Sequence, residues 1–170
     1  CLSLLFVSVF SMAQESALYK LPPKEIADLL LAKPTPMVSI DHLGEWMLVI
    51  ERESYPTVEE LGQPELRVAG LRLNPNNFSP SRQNFINNLK LKHIADGKEY
   101  TIAGIPAGAL IGNTEWSPSE KKISFTNTTA GKVDLYVIDI AKKAAIKINK
   151  TALVSSIGPV SQWVDDNTIL

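Results

Sequence analysis

Few residues in this sequence have both the type and the spacing that catalysis or metal binding requires. The two histidines, His42 and His93, fall on different predicted elements, a turn and a strand. A metal site needs further ligands at suitable spacing, and the sequence has neither a His-x-x-x-His pair nor a cysteine pair. Asp165-Asp166-Asn167 lacks the acidic and glycine positions of a calcium loop, so we interpret it as a turn. The residues therefore predict no metal ligand and no cofactor-binding residue.

Two pairs of acidic residues lie close enough in sequence to be considered as paired carboxylates. They are Asp41 with Glu45 and Glu51 with Glu53, and the second pair would share one face of a strand. Acid–base chemistry needs a fixed partner for such a pair, and nothing in the sequence supplies one. We interpret both pairs as solvated side chains. Neither Gly-Lys dipeptide has the preceding glycine of a phosphate-binding loop.

The composition is that of an ordinary globular chain without a pronounced charge. Of the 170 residues, 45% are hydrophobic and 21% are charged, which argues against a disordered chain. The 17 basic and 18 acidic residues give a net charge of -1, and the basic residues are scattered along the chain. We therefore expect no nucleic acid partner, because nucleic acid selects a clustered positive field. The one cysteine, Cys1, has no partner for an internal disulfide.

The N-terminal residues predict an exported protein. Leu2–Phe10 is almost wholly apolar and Ser11-Met12-Ala13 has a small-x-small pattern, so we predict a signal peptide at 1–13. The run is shorter than the ~20 apolar residues of a membrane-spanning helix, and a buried strand or core helix is the alternative. The mature protein would be periplasmic or secreted, without a membrane anchor. Because the chain starts without Met and stops inside a predicted strand, we expect a fragment of a longer protein.

Residues 14–36 are predicted to form an N-terminal extension with one short helix at Lys24–Ala32. Ile26, Leu29 and Leu30 occupy positions i, i+3 and i+4, which gives this helix one apolar face. Prolines stand before it at positions 22 and 23 and after it at position 34, where they suit a helix start and a helix end. We expect the helix to dock on the body of the protein, and a membrane-surface helix is the alternative.

Residues 37–170 are predicted to form strands separated by polar turns. The first two runs are rich in Val, Ile and Met and have the length of ordinary strands, and later runs are bounded by turn residues such as Asp96-Gly97. The first four predicted strands are Met37–Asp41, Trp46–Arg52, Leu89–Ile94 and Glu99–Ile102.

A long insertion separates the second of these strands from the third. Glu53–Asn88 combines an acidic helix at Val58–Leu61, a strand at Arg67–Leu73 and a polar loop at Phe78–Asn87. We interpret it as an insertion within one four-stranded unit. Gly104–Gly112 would then be a crossing segment to the next unit.

The second unit is the most regular part of the chain. After Trp116-Ser117-Pro118, strands are predicted at Ile123–Thr126 and Leu135–Ile140, followed by a half-solvated edge strand with Ile146 and Ile148. The pattern restarts at Trp163, which is 163 − 116 = 47 residues after Trp116. We expect these tryptophans, and Trp46, to pack in the core or between units.

The spacing of about 40–50 residues is that of propeller blades. The sequence therefore predicts an all-β fold, a partial β-propeller at 37–170 with about two blades plus the start of a third, and a short N-terminal helix. A two-sheet β-sandwich built from the same strands is the alternative.

Two segments carry a more specific resemblance. PELRVAGLRLNP, at 64–75, and YKLPPKEIADLLLAKPTP, at 19–36, resemble the N-terminal part of the prolyl oligopeptidase family of serine peptidases. Within that family they are most similar to the branch of the glutamyl endopeptidases and their bacterial relatives. The resemblance extends over Leu18–Leu170.

This resemblance implies an exported serine-type peptidase in which a propeller caps an α/β-hydrolase domain and limits entry to small or unstructured peptides. The nucleophilic serine of such enzymes lies in a Gly-x-Ser-x-Gly turn, which this sequence lacks. No catalytic residue can therefore be assigned, and the present chain alone would be inactive. The implied partners are a peptide substrate and the protein's own C-terminal hydrolase domain, with no cofactor.

If the enzyme selects acidic side chains, arginines of the propeller could pair with the substrate carboxylate. Arg52, Arg67 and Arg72 are the candidate substrate-contact residues. The competing hypothesis is a non-enzymatic exported propeller that binds a peptide, a glycan or a partner protein.

Overall fold

The computed structural model describes residues 20–170 and divides the chain into two compact units, Cys1–Leu31 and Ala32–Leu170. The predicted signal peptide at 1–13, and the start of the predicted extension, lie outside the described residues. Within residues 20–170, no helix is long and apolar enough to cross a bilayer.

The first unit contributes one described helix, α1 (Lys24–Leu31), which confirms the helix predicted from apolar spacing. Its first turn is organised by Pro23, whose carbonyl oxygen accepts from the backbone N–H groups of Ile26 and Ala27, both at 3.0 Å. Proline suits this position because its own missing N–H would have no partner at a helix start. The predicted docking of this helix stays a prediction.

The second unit consists mainly of strands, which form four antiparallel sheets. Two of these sheets have four strands, one has three and one has two. In chain order the elements are β1 (Met37–Ile40), β2 (Trp46–Glu51), α2 (Val58–Leu61), β3 (Leu66–Val68), β4 (Leu71–Asn74), β5 (Ser79–Pro80), β6 (Asn88–His93), β7 (Glu99–Thr101), β8 (Leu110–Trp116), β9 (Lys122–Thr128), β10 (Val133–Asp139), β11 (Ala144–Lys147), β12 (Trp163–Asp165) and β13 (Thr168–Ile169).

The first four-stranded sheet has the order β1-β2-β6-β7, so its strands follow the chain except for the insertion between β2 and β6. Leu48 lies opposite Leu91 and Ile50 opposite Leu89, and all four side chains are buried. Because side chains alternate along a strand, these residues fall on one face of the sheet. The apolar residues of the two strands predict burial of this same face.

The second four-stranded sheet has the order β11-β10-β9-β8, which is a simple meander. Its central strand β9 is almost entirely buried, with Ile123 and Phe125 at 0% exposure. The ring of Phe125 stacks on Tyr136 of β10, with 5.2 Å between centroids. Burial on both faces explains why the serines and threonines of β9 are buried as well as its apolar residues.

Strand β8 corrects the sequence prediction, which placed a crossing segment at Gly104–Gly112 and began the second unit with a turn. Leu110–Trp116 is a strand that pairs with β9, with a register shift between Gly112 and Glu115. Asn113 adopts a φ of 49° at this bulge. The bulge and the polar residues around it break the alternation by which a strand is recognised.

The two four-stranded sheets pack on each other through one hydrophobic core. Leu48, Leu89 and Leu91 of the first sheet lie in the same cluster as Ile123 and Phe125 of the second. At the edge of this core, the Lys143 ammonium lies 4.5 Å from the ring centroid of Tyr100 and 5.6 Å from that of Trp46. The sheets therefore depend on each other for burial of their apolar faces.

Tryptophan side chains connect successive sheets in the same way twice. The indole N–H of Trp116 donates to the Ser39 hydroxyl of the first sheet at 2.8 Å. The indole N–H of Trp163 donates to the Ser124 hydroxyl of the second sheet at 2.9 Å. These contacts confirm that both tryptophans pack between units.

A second contact repeats at the turns. The Glu120 carboxylate accepts from the backbone N–H of His42 at 2.5 Å, linking the second sheet's turn to the first. The Asp166 carboxylate accepts from the backbone N–H of Ser119 at 2.9 Å, linking the two-stranded sheet's turn to the second. An acidic residue in each later turn thus satisfies a backbone donor in the turn before it. The turn predicted at Asp165-Asp166-Asn167 is confirmed.

The all-β fold class is confirmed, and none of the sheets formed by residues 20–170 closes on itself. The propeller and the sandwich both stay predictions. The predicted half-solvated edge strand is confirmed, because β11 is the outermost strand of its sheet, with Ala145 buried and Ile146 64% exposed.

Candidate functional site

The insertion between β2 and β6 forms its own three-stranded sheet, β3-β4-β5. The sequence predicts a single strand at Arg67–Leu73, which is wrong, because the chain turns back at Ala69 and Gly70. These two residues have φ values of 49° and 88°, and Gly70 suits the second because it has no Cβ. The predicted polar loop at Phe78–Asn87 contains the short strand β5.

The β3–β4 hairpin has two different faces. Leu66, Val68 and Leu71 carry one face, and each is about half exposed. On the other face Arg67 lies directly opposite Arg72. Like charges opposite each other destabilise a sheet unless a counter-charge is near, so this pair requires a carboxylate close by.

Glu65 supplies that carboxylate and joins three arginines into a cluster, which we call the arginine cluster. Its Oε1 accepts from Nε of Arg67 and from Nη1 of Arg72, both at 3.0 Å. Its Oε2 accepts from Nε of Arg82 at 2.9 Å. Three guanidinium groups around one carboxylate leave an excess of two positive charges at this position.

The environment of Glu65 keeps it ionised. The hydrogen bond from Arg67 holds the pKa of the Glu65 carboxyl below its usual value, and the charges of Arg82 and Arg72 act in the same direction. The Glu65 side chain is 15% exposed, whereas those of Arg67 and Arg82 are 69% and 65% exposed. The guanidinium groups therefore remain accessible while the carboxylate that holds them is covered.

A cleft of about 490 Å³ lies beside the arginine cluster. Its walls come from α2, the three-stranded sheet, the segment before β8 and the end of β9. The α2 wall is fixed by a capping box, in which Thr57 and Glu60 each accept from the other's backbone N–H. The lining includes Ser81, Arg82, Asn87, Gly108 and Asn127.

The structure brings together two of the three predicted substrate-contact residues. Arg67 and Arg72 share the Glu65 carboxylate, whereas Arg52 is exposed just after β2 and does not belong to this cluster. Glu65 and Arg82 were not predicted. They are 17 residues apart, and no local pattern indicates that they meet.

In the two acidic pairs considered from the sequence, Asp41 and Glu51 bond to other groups of the fold and not to the second carboxylate of the pair. Asp41 was predicted to be solvated, which is wrong, because it is 8% exposed and its Oδ1 accepts from the backbone N–H groups of Glu45 and Trp46. Glu51 pairs with Lys90 on the neighbouring strand at 2.5 Å.

His93 lies 2.9 Å from Asp96, measured from Nδ1 to the carboxylate oxygen, within the β6–β7 hairpin. Within residues 20–170, no group of three or more His, Cys, Asp or Glu side chains is placed to hold a metal ion.

Comparison with known proteins identifies two similar proteins, and no family model matches the chain. The chain is 29% identical over 164 residues to a probable chloroplastic glutamyl endopeptidase of Oryza sativa subsp. japonica, covering 89% of this chain and 18% of that protein. It is 29% identical over 163 residues to the protein of the same name from Arabidopsis thaliana, covering 89% and 17%. The chain thus spans less than a fifth of the length of these curated relatives, and the similarity is to proteins named as peptidases.

Proposed function

We propose that this chain is the N-terminal propeller portion of an exported serine-type peptidase, with the catalytic α/β-hydrolase domain outside these residues. The observation that carries the proposal is the sequence similarity, which extends over 89% of the chain, to two proteins named probable glutamyl endopeptidase. Two successive four-stranded antiparallel sheets, joined by tryptophan and turn contacts that repeat, support a propeller arrangement.

In this proposal the chain positions and admits the substrate, and the hydrolase domain breaks the peptide bond. A serine nucleophile activated by histidine would carry out acyl transfer in that domain. The packed sheets would form walls in front of the nucleophile and admit only small or unstructured peptides. The hydrophobic core shared by the two sheets suits this role, because it holds the two sheets together.

The arginines are proposed to contact acidic residues of the substrate. A guanidinium matches a carboxylate with two parallel hydrogen bonds, which selects Asp and Glu over their amides. Arg67 and Arg72 are supported by their position in the arginine cluster. Arg52 stays a candidate on its residue type alone.

Activity-based labelling of the full-length protein tests the proposal. A fluorescent fluorophosphonate should label one serine, and peptide mapping should place it in a Gly-x-Ser-x-Gly sequence after residue 170. The matched control is the Ser→Ala variant at the mapped position, which should not be labelled. If the folded protein takes up no label and the reading frame holds no such sequence, the serine peptidase proposal fails and the non-enzymatic binding protein is favoured.

A further inference from the structure

We propose that strand β3, at the open edge of the insertion sheet, pairs with β3 of a second copy of this chain. The two strands run antiparallel about a two-fold axis at Leu66, and the two three-stranded sheets join into one sheet of six strands. The inference rests on the composition of the insertion, the open edge of β3 and the charges beside that edge. It concerns assembly and does not depend on the proposed peptidase function.

The insertion between β2 and β6 differs from the rest of the chain in its basic residues. All lysines of the chain lie outside the insertion, whereas all of its arginines lie within it, at positions 52, 67, 72 and 82. Protein–protein interfaces are enriched in arginine and depleted in lysine, because a guanidinium is more weakly hydrated than an ammonium and pairs through a planar fork. The insertion also exposes large apolar side chains, among them Leu66, Val68 and Leu71. Its composition is therefore that of an interface.

Strand β3 presents an open edge. It lies at the end of the sheet order β3-β4-β5, so its outer side has no neighbouring strand within residues 20–170. All three of its residues, Leu66, Arg67 and Val68, are exposed. An edge strand is a template for pairing with another chain unless a lysine, a proline or a bulge blocks it. Strand β3 contains neither residue, and its pairing with β4 is regular.

The hydrogen bonds of the insertion sheet show which backbone groups face this edge. The carbonyl oxygen of Arg72 accepts from the backbone N–H of Ser81 at 2.8 Å, on the side away from β3. Residues opposite each other in an antiparallel pair direct their backbone polar groups either toward each other or both away. Arg67 lies opposite Arg72, so its N–H and C=O point to the open edge. Because these directions alternate along a strand, those of Glu65 point the same way.

The charges beside the edge select one register for the two strands. Pairing Arg67 with Arg67 of the second copy would place like charges opposite each other, which destabilises a sheet. Pairing Arg67 with Glu65 of the second copy places opposite charges together, and the two-fold axis repeats this pair. The outward backbone groups of both residues then exchange hydrogen bonds. Leu66 faces its counterpart across the axis and Val68 lies opposite Pro64, so the other face is apolar.

The side chains of the arginine cluster are compatible with this register. Arg67 donates to its own Glu65 through Nε, and its side chain is 69% exposed. The forked end of the guanidinium can therefore reach the Glu65 carboxylate of the second copy. Arg72 and Arg82 carry the remaining positive charge, and they lie on β4 and after β5, farther from the axis. Neither face of the joined sheet thus places like charges at the axis.

Sedimentation velocity of the full-length protein, measured over a range of concentrations, tests the inference. We expect a monomer–dimer equilibrium in which the dimer fraction rises with concentration. A contact built around one short strand pair is small, so the dissociation constant should be on the order of micromolar. A protein that sediments as a monomer between about 0.1 µM and about 100 µM would overturn the inference.

Two lysine substitutions locate the contact. Leu66→Lys places two like charges across the axis and should weaken the dimer about 10-fold or more. Leu71→Lys is the matched control, because it adds the same charge to the same face of the hairpin, one strand away from the edge, at a side chain of similar exposure. The Leu71 variant should keep the dimer. An undiminished dimer in Leu66→Lys, or an equal loss in both variants, contradicts pairing through β3.

Cysteine cross-linking tests the register and remains informative if a lysine variant fails to fold. The two copies of residue 66 form a non-hydrogen-bonded pair, in which the Cα atoms lie about 4.5 Å apart, within the range of a disulfide. Mild oxidation of Leu66→Cys should therefore give a covalent dimer, with the 66–66 bond identified by peptide mass spectrometry. Val68→Cys is the control, because residue 68 lies opposite residue 64 in this register. Cross-linking at 68 as efficient as at 66, or none at 66, overturns the inference.

Discussion

The two four-stranded sheets and the three-stranded insertion sheet differ in whether they bury their apolar residues. The four-stranded sheets bury Leu48, Leu91 and Phe125 in their shared core. The insertion sheet leaves Leu66 and Val68 about half exposed. Its buried residues are polar, namely Asn74, Asn77 and Ser79.

This difference in burial distinguishes the part of the molecule that stabilises the fold from the part whose polar groups are accessible to a ligand. Apolar burial stabilises the four-stranded sheets and leaves few accessible donors. In the insertion sheet, asparagine and serine side chains bond the nearby backbone, as Asn77 does to Ser79 and to Thr129. Its shape is thus set by hydrogen bonds and ion pairs, which leaves charged groups exposed beside a cleft.

The largest expected effect comes from a core substitution compared with an insertion substitution. Phe125→Ala should lower the free energy of unfolding by about 3–5 kcal/mol, because the ring is fully buried and its removal leaves a cavity. Leu66→Ala should cost less than about 1 kcal/mol, because that side chain is 51% exposed. Urea denaturation of the full-length protein, followed by tryptophan fluorescence, gives both values. Equal losses would contradict the division between the two regions.

Two glycines with positive φ sharpen the comparison. Gly104, at the junction of the two four-stranded sheets, has a φ of 80°, and an added Cβ would lie 2.2 Å from the Ala145 carbonyl oxygen. Gly104→Ala should cost about 2–4 kcal/mol, from the left-handed backbone and from this clash together.

Gly108 is the matched control for Gly104, because it has a φ of 66° and no atom within 4 Å of an added Cβ. Gly108→Ala should therefore cost about 1 kcal/mol, from the backbone alone. Thermal unfolding of the two variants measures the difference. A loss for Gly104→Ala no greater than that for Gly108→Ala would show that the junction can relax.

The smallest expected effect concerns acid stability. Asp134 is 4% exposed. Burial alone would raise the pKa of its carboxyl, but the hydrogen bonds from Lys147 and Lys132 outweigh burial and hold the pKa below its usual 3.8. A lowered pKa in the folded state means stability that is fully present above pH 3.8 and is lost as the pH falls through the folded value.

The wild-type protein should therefore lose stability from Asp134 as the pH falls below 3.8, and Asp134→Asn should lack this part of the acid loss. Glu65 also has a lowered pKa, from the usual 4.5, so Glu65→Gln should likewise remove a part of the acid loss. Unfolding free energies measured between about pH 5 and about pH 2 test both variants. An unchanged profile for Asp134→Asn would contradict the prediction.

The elements that the sequence predicted well are those in which local pattern and burial agree. Trp46–Ile50 and Leu135–Ile138 are continuous apolar runs, and α2 coincides with the acidic helix predicted at Val58–Leu61. Strand β8 was missed because its pairing with β9 shifts register at a bulge, which no single-strand pattern encodes. Its strand conformation is recognised only from its pairing with β9.

The candidate site was predicted only in part, for a related reason. Arg67 and Arg72 were selected for their residue type, and the hairpin that places them opposite each other depends on the positive φ at Ala69. Glu65 and Arg82 meet through tertiary contact across 17 residues. Contacts of that kind carry no periodic signal, so the arginine cluster emerges only from the folded chain.

The place where the insertion leaves the first sheet has a consequence for the evolution and engineering of this protein. Glu51 at the end of β2 and Asn88 at the start of β6 are register partners, so the 52–87 segment departs and returns at neighbouring positions. A hairpin turn of two residues could close the same gap. The segment could thus be deleted or replaced without a change of register between β2 and β6.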